Sequence, residues 1–217
     1  MTTSTQDALE YFAGLLQKNE AHAREHGHLY AVMKDGQRPK IVIALCADSR
    51  IQTCIFGSGL ELINNIFVGR DIGNCYTDSE GAVDYAVRSL GVPVLFIMGH
   101  TGCGAAAAAR SDYSAATAAV KSRLDNFKTC GDAARDPQAN VDAQVALALK
   151  RYAPEVAAGE LTVIGGVFDL LGQYDALPGK VYLTNFNGSA DPAEILRGLG
   201  RSGAFREELL EGCVKRL

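Results

Sequence analysis

The stretch Lys40-Ile41-Val42-Ile43-Ala44-Leu45, running directly into Cys46-Ala47-Asp48-Ser49-Arg50, decides the fold class. After Lys40 the run is continuous and apolar rather than alternating, the pattern of a strand covered on both faces, as in a parallel sheet. Pro39 introduces it. Downstream, Val92-Pro93-Val94-Leu95-Phe96-Ile97-Met98 repeats the pattern and ends at Gly99, and Leu161-Thr162-Val163-Ile164 ends at Gly165-Gly166. Val181-Tyr182-Leu183-Thr184 follows a Pro178-Gly179 turn, and Ile66-Phe67-Val68 is a shorter strand candidate. Helical stretches lie between. Asp78-Ser79-Glu80 can start a helix with Val83, Ala86, Val87 and Leu90 on its apolar face and Gly91 at its end. Ala105 to Ala109 has the best helix propensity available. Asn140 can cap a helix through Val141, Val145, Ala148 and Leu149 that stops before Pro154. Residues 111–138 read as a surface helix plus loop, and no internal repeat is evident. Strands alternating with helices imply right-handed crossovers. The expectation is α/β: a single domain over 1–217, with a mostly parallel central sheet flanked by helices and an N-terminal helical arm over 1–28.

That arm reads as an amphipathic helix. Asp7 with Glu10 three residues on resembles a capping box, Leu9, Phe12 and Leu16 share one face, and the segment is expected to stop near Gly27. Its apolar stripe could reach a neighbouring subunit or cap its own domain. Across 217 residues, 47% are hydrophobic and 21% charged, which excludes a disordered chain. Lys+Arg number 21 and Asp+Glu 25, a net charge of −4 that argues against a nucleic-acid partner. No apolar run reaches the ~18 residues of a membrane span, and Met1-Thr2-Thr3-Ser4-Thr5-Gln6-Asp7 lacks the pattern of a secretory signal. A cytoplasmic location is therefore expected. In that reducing setting disulfides among Cys46, Cys54, Cys75, Cys103, Cys130 and Cys213 are not expected, and each is a packed thiol, a metal ligand or a nucleophile.

Ligands of open parallel sheets gather at the carboxyl ends of strands. Two such ends carry unusual polar content: Cys46-Ala47-Asp48-Ser49-Arg50 and Gly99-His100-Thr101-Gly102-Cys103-Gly104. If the two strands are neighbours, Cys46, His100 and Cys103 converge. Two thiolates and an imidazole form a soft tetrahedral set that suggests zinc first, and three ligands leave a position open, as in catalytic sites. Asp48 and Arg50, two apart, can form a bidentate pair, which discourages Asp48 from ligating and leaves it free to orient a water. On spacing alone, buried thiols, a satisfied strand-end histidine and a surface ion pair remain the competing account.

These residues carry a resemblance. Cys46-x-Asp48-Ser49-Arg50 with His100-x-x-Cys103-Gly104 resembles the signature of the β-class carbonic anhydrases, in their plant-like, open-site form. Gly36-Gln37-x-Pro39-Lys40, Phe67-Val68-Gly69-Arg70-Asp71-Ile72-Gly73-Asn74 (beside that family's F-V-x-R-N-I-A-N), Asp84-Tyr85-Ala86-Val87, the Asn140–Tyr152 stretch and Gly165-Gly166-Val167-Phe168-Asp169 extend it. The resemblance implies a lyase that reversibly hydrates carbon dioxide to bicarbonate and a proton through zinc-bound hydroxide, with one zinc per chain. Cys46, His100 and Cys103 match the metal ligands, and Asp48 and Arg50 the catalytic dyad. Gln37, Phe67 and Tyr85 match residues lining the substrate pocket, and the Gly104 backbone its entrance. Without the resemblance, Phe67 and Tyr85 read as core packing. A homodimer or dimer of dimers is implied, with the N-terminal helix reaching across.

Departures are Asp71 for Asn, Gly73 for Ala, and Ile51-Gln52-Thr53 without the Pro often found there. The chain has no Trp, so the non-catalytic bicarbonate pocket that one branch builds with a Trp is expected to be absent, and Asp48 is expected on Arg50. An alternative keeps the site and changes the substrate to carbonyl sulfide or carbon disulfide. A redox-sensing thiol protein is a third class. His22, His26 and His28 lack a visible orienting partner and read as a solvated helix end. The turn Gly99-x-x-Gly102-x-Gly104 lacks the order and the Lys-Ser/Thr of phosphate-binding loops.

Overall fold

Burial along β1 (Ile41–Cys46) alternates in destination rather than in degree. Val42 and Ala44 enter one core, whereas Ile43 and Leu45 enter another across the sheet, so the run carries no polar position. The computed structural model describes residues 3–57 and 59–217, and the chain divides between Arg38 and Pro39 into two compact units.

The first unit is built on helix α1 (Thr5–Ala31). Its capping box is Ser4 with Asp7, not the expected Asp7 with Glu10: Ser4 Oγ accepts from the Asp7 amide at 3.1 Å and Asp7 Oδ2 from the Ser4 amide at 3.3 Å. The helix runs past Gly27, because one interior glycine costs only about 1 kcal/mol relative to alanine. None of its residues is buried; Leu9, Phe12 and Leu16 are each more than half exposed.

In the second unit, β1 is joined by β2 (Ile66–Asp71), β3 (Val94–His100), β4 (Thr162–Asp169) and β5 (Lys180–Phe186) in the order β2-β1-β3-β4-β5. The first four are parallel and β5 is antiparallel to β4. Only a short connection separates β4 from β5, too few residues for the crossover that parallel pairing needs. The fold is thus the expected α/β arrangement, a mostly parallel sheet flanked by helices.

Helix α2 (Glu80–Asp84) continues as a wider π turn over Tyr85–Ser89, and Gly91 ends the segment at φ +67°. After β3 come α3 (Gly104–Ala109), α4 (Ala118–Asp125), α5 (Asp136–Arg151) and α6 (Ala153–Ala157). The start of α5 differs from expectation. It begins at Asp136, with Pro137 in its first turn where a missing N–H costs nothing. Asn140 lies inside it, fully buried. Two helices not expected from the sequence, α7 (Pro192–Gly200) and α8 (Glu207–Cys213), close the C-terminal edge through Ile195, Leu199 and Leu210.

The main core packs Val141, Val145 and Ala148 of α5 and Tyr152 just past its end, with Val83 of α2 and Ala86 of the π turn, onto Val42, Leu95, Ile97, Val163 and Val167 of the sheet. Gly165 permits this approach, since a Cβ there would fall 2.7 Å from Val141 Cγ1. At the rim, Asp84 accepts from Arg151 through both carboxylate oxygens and from Tyr152 Oη at 2.7 Å, tying α2 to α5.

The Arg151 hydrogen bonds hold the Asp84 carboxyl down to about 2, from an ordinary 3.8. A carboxyl lowered on folding contributes stability above its unfolded pKa and loses it as pH falls toward the folded one. Urea unfolding of Asp84→Asn is therefore expected to show a loss of about 1 kcal/mol at pH 7, small because solvent reaches the pair. That gap from the parent should close between pH 4 and pH 2.

Candidate metal centre

The chain leaves β1 for β2 on one side and then crosses to β3 on the other, so β1 and β3 flank a topological switch point, where open sheets place ligands. Each strand ends on a donor: Cys46 is the last residue of β1 and His100 the last of β3. Gly102, at φ +67°, reverses the chain so that Cys103 stands as the residue before α3. The ligand atoms of Cys46, His100 and Cys103 lie within 4.8 Å of one another, all buried, and form the one such group of three or more among the described residues.

The imidazole is fixed in orientation and tautomer. Its Nδ1 lies 3.1 Å from the Thr101 carbonyl, which can only accept, so Nδ1 carries the proton and Nε2 the lone pair. Nε2 is buried without a hydrogen-bond partner. Thr101 is itself held by the buried Asp169: its Oγ1 donates to Asp169 Oδ1 at 3.0 Å and accepts from the Leu171 amide at 3.0 Å. Burial opposes charge on Asp169, but the amides of Gln173 and Tyr174 and the Thr101 hydroxyl outweigh it and lower its pKa.

The two thiols share one charge. The Cys103 thiol as hydrogen-bond partner, with help from the backbone amides of Asp48 and Gly73, holds Cys46 down to about 4 despite burial. The bond to Cys46 and burial push Cys103 up. A buried thiolate beside a second thiol and an imidazole lone pair is a donor set that suits a soft divalent cation. The fit is that of a three-residue metal site.

Asp48 does not join it. Arg50 donates to both its oxygens, Nε to Oδ1 at 2.9 Å and Nη2 to Oδ2 at 2.6 Å, and holds the carboxyl far below the usual carboxylate range. Arg50 Nη2 also donates to the Gly102 carbonyl at 3.0 Å, tying the pair to the turn that carries Cys103. Asp48 Oδ2 stands 3.9 Å from His100 Nε2.

Of the remaining site candidates, Gly104 opens α3 beside Cys103, with open space where a Cβ would point. Phe67 and Tyr85 pack on each other, ring centroids 6.1 Å apart, and Tyr85 is half exposed. Phe67 pairs with Val42, four positions before Cys46 pairs with Asp71, or ~13 Å along the strand. The structure therefore does not bring this pair to the cysteines of its own chain. Gln37 belongs to the N-terminal unit and is exposed. His22 Nε2 lies 2.9 Å from Tyr30 Oη on the same helix, and all six cysteines are free.

Several residues that shape the site were not anticipated. Arg70 Nη1 donates to the carbonyls of Ile51 at 2.6 Å and Cys46 at 3.3 Å, pinning the loop that carries Asp48 and Arg50. Asn140 Nδ2 donates to the Gly73 carbonyl at 2.9 Å. The one local signal for Asp169 was a charged residue closing an apolar strand.

Comparison with known proteins agrees with this geometry. The carbonic anhydrase family model matches residues 41–172. Carbonic anhydrase 2 of Mycobacterium tuberculosis is 30% identical over 161 residues, covering 62% of this chain and 72% of that protein. Among solved structures, tetrameric β-carbonic anhydrases of Sordaria macrospora align at a TM-score of 0.67 with 26% identity, over 80% of this chain and 96% of theirs. A β-carbonic anhydrase of Aspergillus fumigatus shares the fold at a TM-score of 0.65 and 24% identity, over 90% of this chain and all of that one. Switch-point cysteine, strand-end histidine and matching family model lead to one assignment: this chain belongs to the β-carbonic anhydrase family of lyases.

Proposed function

We propose that this protein reversibly hydrates carbon dioxide to bicarbonate and a proton, holding one zinc ion on Cys46, His100 and Cys103. The observation that carries this reading is the buried His100 Nε2, aimed without a protein partner among two cysteine sulfurs. Bound to these three residues, zinc would supply hydroxide by acidifying a water molecule. The chain's own groups do the rest. The Thr101 carbonyl holds the imidazole, and Asp169 holds Thr101. Asp48, kept anionic by Arg50, offers an acceptor that orients water at the site and stays off the metal. The Arg50 bond to Gly102 keeps this acceptor in register with Cys103.

Because two thiolates offset the ion's charge, the pH at which hydroxide becomes available lies above the ~7 of a three-histidine site. Phe67 and Tyr85, distant from their own Cys46, line a pocket only across a subunit interface. A dimer or pair of dimers is the assembly we assign. The exposed Leu9, Phe12 and Leu16 and the tetrameric state of the Sordaria proteins support it.

Metal analysis of the purified protein is expected to return about one zinc per chain, the content of a single three-ligand site. Cys46→Ser should lose the zinc. Stopped-flow hydration should rise from pH 7 to pH 9, and a falling rate would contradict the charge argument. A second prediction concerns Asp48→Ala, which is expected to retain zinc and lose about 100-fold in turnover, the low end of what a positioned acid–base group contributes. Full activity in that variant removes Asp48 from the mechanism. Sulfide release from carbonyl sulfide without carbon dioxide hydration would reassign the substrate.

A further inference from the structure

Cys46 is held from a direction that the ligand set does not explain. Its Sγ accepts from the Gly73 amide at 3.4 Å, across 27 residues of chain. Gly73 sits at φ +80° in the tight turn Ile72–Asn74 that follows β2. Its carbonyl is held by Asn140, and a Cβ on it would fall 2.6 Å from the Phe127 ring. The residue that launches the turn is Asp71. Its carbonyl accepts from the Ala47 amide at 2.9 Å, next to Cys46. Its Oδ1 accepts from the Ile72 amide at 2.7 Å, and its Oδ2 from Arg123 Nε at 2.9 Å.

Arg123 lies on α4, and its Nη1 also stands 3.7 Å from Asp78 Oδ1, which accepts from Asn126 at 2.7 Å. Arg123 and Phe127 thus meet this turn from one short segment, while Asn126 between them holds Asp78. Asp71 and Gly73 are the two positions where the chain departs from F-V-x-R-N-I-A-N, and both are answered by that segment. Without Arg123, two carboxylates, those of Asp71 and the nearly buried Asp78, would face each other without the cation that now pairs with both.

We propose that Arg123 is a positioning residue for the metal centre: by pairing with Asp71 it seats the 71–74 turn so that the Gly73 amide meets the Cys46 sulfur. This rests on Cys46, His100 and Cys103 being that centre. An N–H on the sulfur fixes where that donor points, as groups behind a metal ligand do. The pair therefore acts on metal affinity through the turn, without touching metal or substrate.

The test uses the full chain with Co²⁺ as the probe, reading the thiolate-to-cobalt absorption band and the dissociation constant from competition with a chelating dye. Arg123→Ala is expected to weaken cobalt binding about tenfold, the scale on which groups orienting a ligand act, and to shift the band. Adding Asp71→Asn to it should recover most of the loss, because the amide still accepts from Ile72 and leaves no charge to neutralise. Affinity in Arg123→Ala within twofold of the parent overturns the proposal. So does a double variant as weak as Arg123→Ala, which would make the role one of packing. Should Arg123→Ala not fold, Asp71→Asn/Arg123→Gln is compared with Asp71→Asn alone; equal affinities are expected, and a loss in the pair overturns it. A parent chain that binds cobalt but does not hydrate carbon dioxide defeats the proposed function and leaves this test standing. One that takes up no cobalt defeats both.

Discussion

A buried imidazole nitrogen that faces two cysteine sulfurs and has no hydrogen-bond partner is the constraint on which the rest of this structure depends. Leaving such an acceptor unsatisfied costs about 1–3 kcal/mol. Binding of a structural zinc ion by a comparable donor set is worth about 10–16 kcal/mol. The first figure is small against the second, so a fold that keeps Nε2 unpaired is consistent with a site reserved for a metal. The neighbouring strands β1 and β3 make this possible, since both deliver their last residue to the same edge of the sheet.

Electrostatics explains why the site needs so many partners beyond its three donors. Two thiolates and Asp48 would place three negative charges within a few ångströms. Each has an answer in the fold: amides from Gly73 and Asp48 on Cys46, amides from Ala105 and Ala106 on Cys103, and the bidentate Arg50 on Asp48. Asp48 and Arg50 also form a mechanical tie. Because Arg50 grips the Gly102 carbonyl as well, moving Asp48 toward the sulfurs would break contacts on two loops at once.

The strands were legible because a parallel sheet buried on both faces leaves no polar position to confuse the pattern. Every quoted apolar run lies largely within a strand, though β2 extends three residues past Val68. Donors at strand ends were legible for the same reason, since Cys46 and His100 follow unbroken apolar runs. Competing local signals produced the misplacements. Ser4 and Asp7 formed the cap that Asp7 and Glu10 also offered. With Pro137 in its first turn, α5 started at Asp136, four residues before Asn140, whose side chain went instead to Gly73 and to the Lys128 amide. Partners such as Arg70, Asp169 and Arg123 lie far along the chain from what they hold, and no spacing rule links Arg123 to residue 71.

The placement of Phe67 and Tyr85 carries the same lesson to the level of assembly. A resemblance can match residues to a pocket, but only the register shows that Phe67, on which Tyr85 packs, stands four strand positions from the level of Cys46. Each strand step spans ~3.3 Å, so no rotamer closes that gap within one chain. A single copy therefore holds its metal donors and Asp48–Arg50 at one end of the paired strands β1 and β2, and its aromatic pair nearer the other. Under the proposed function such a division is useful only if two copies bring opposite ends together, and that proposal therefore makes subunit association part of the chemistry rather than an addition to it.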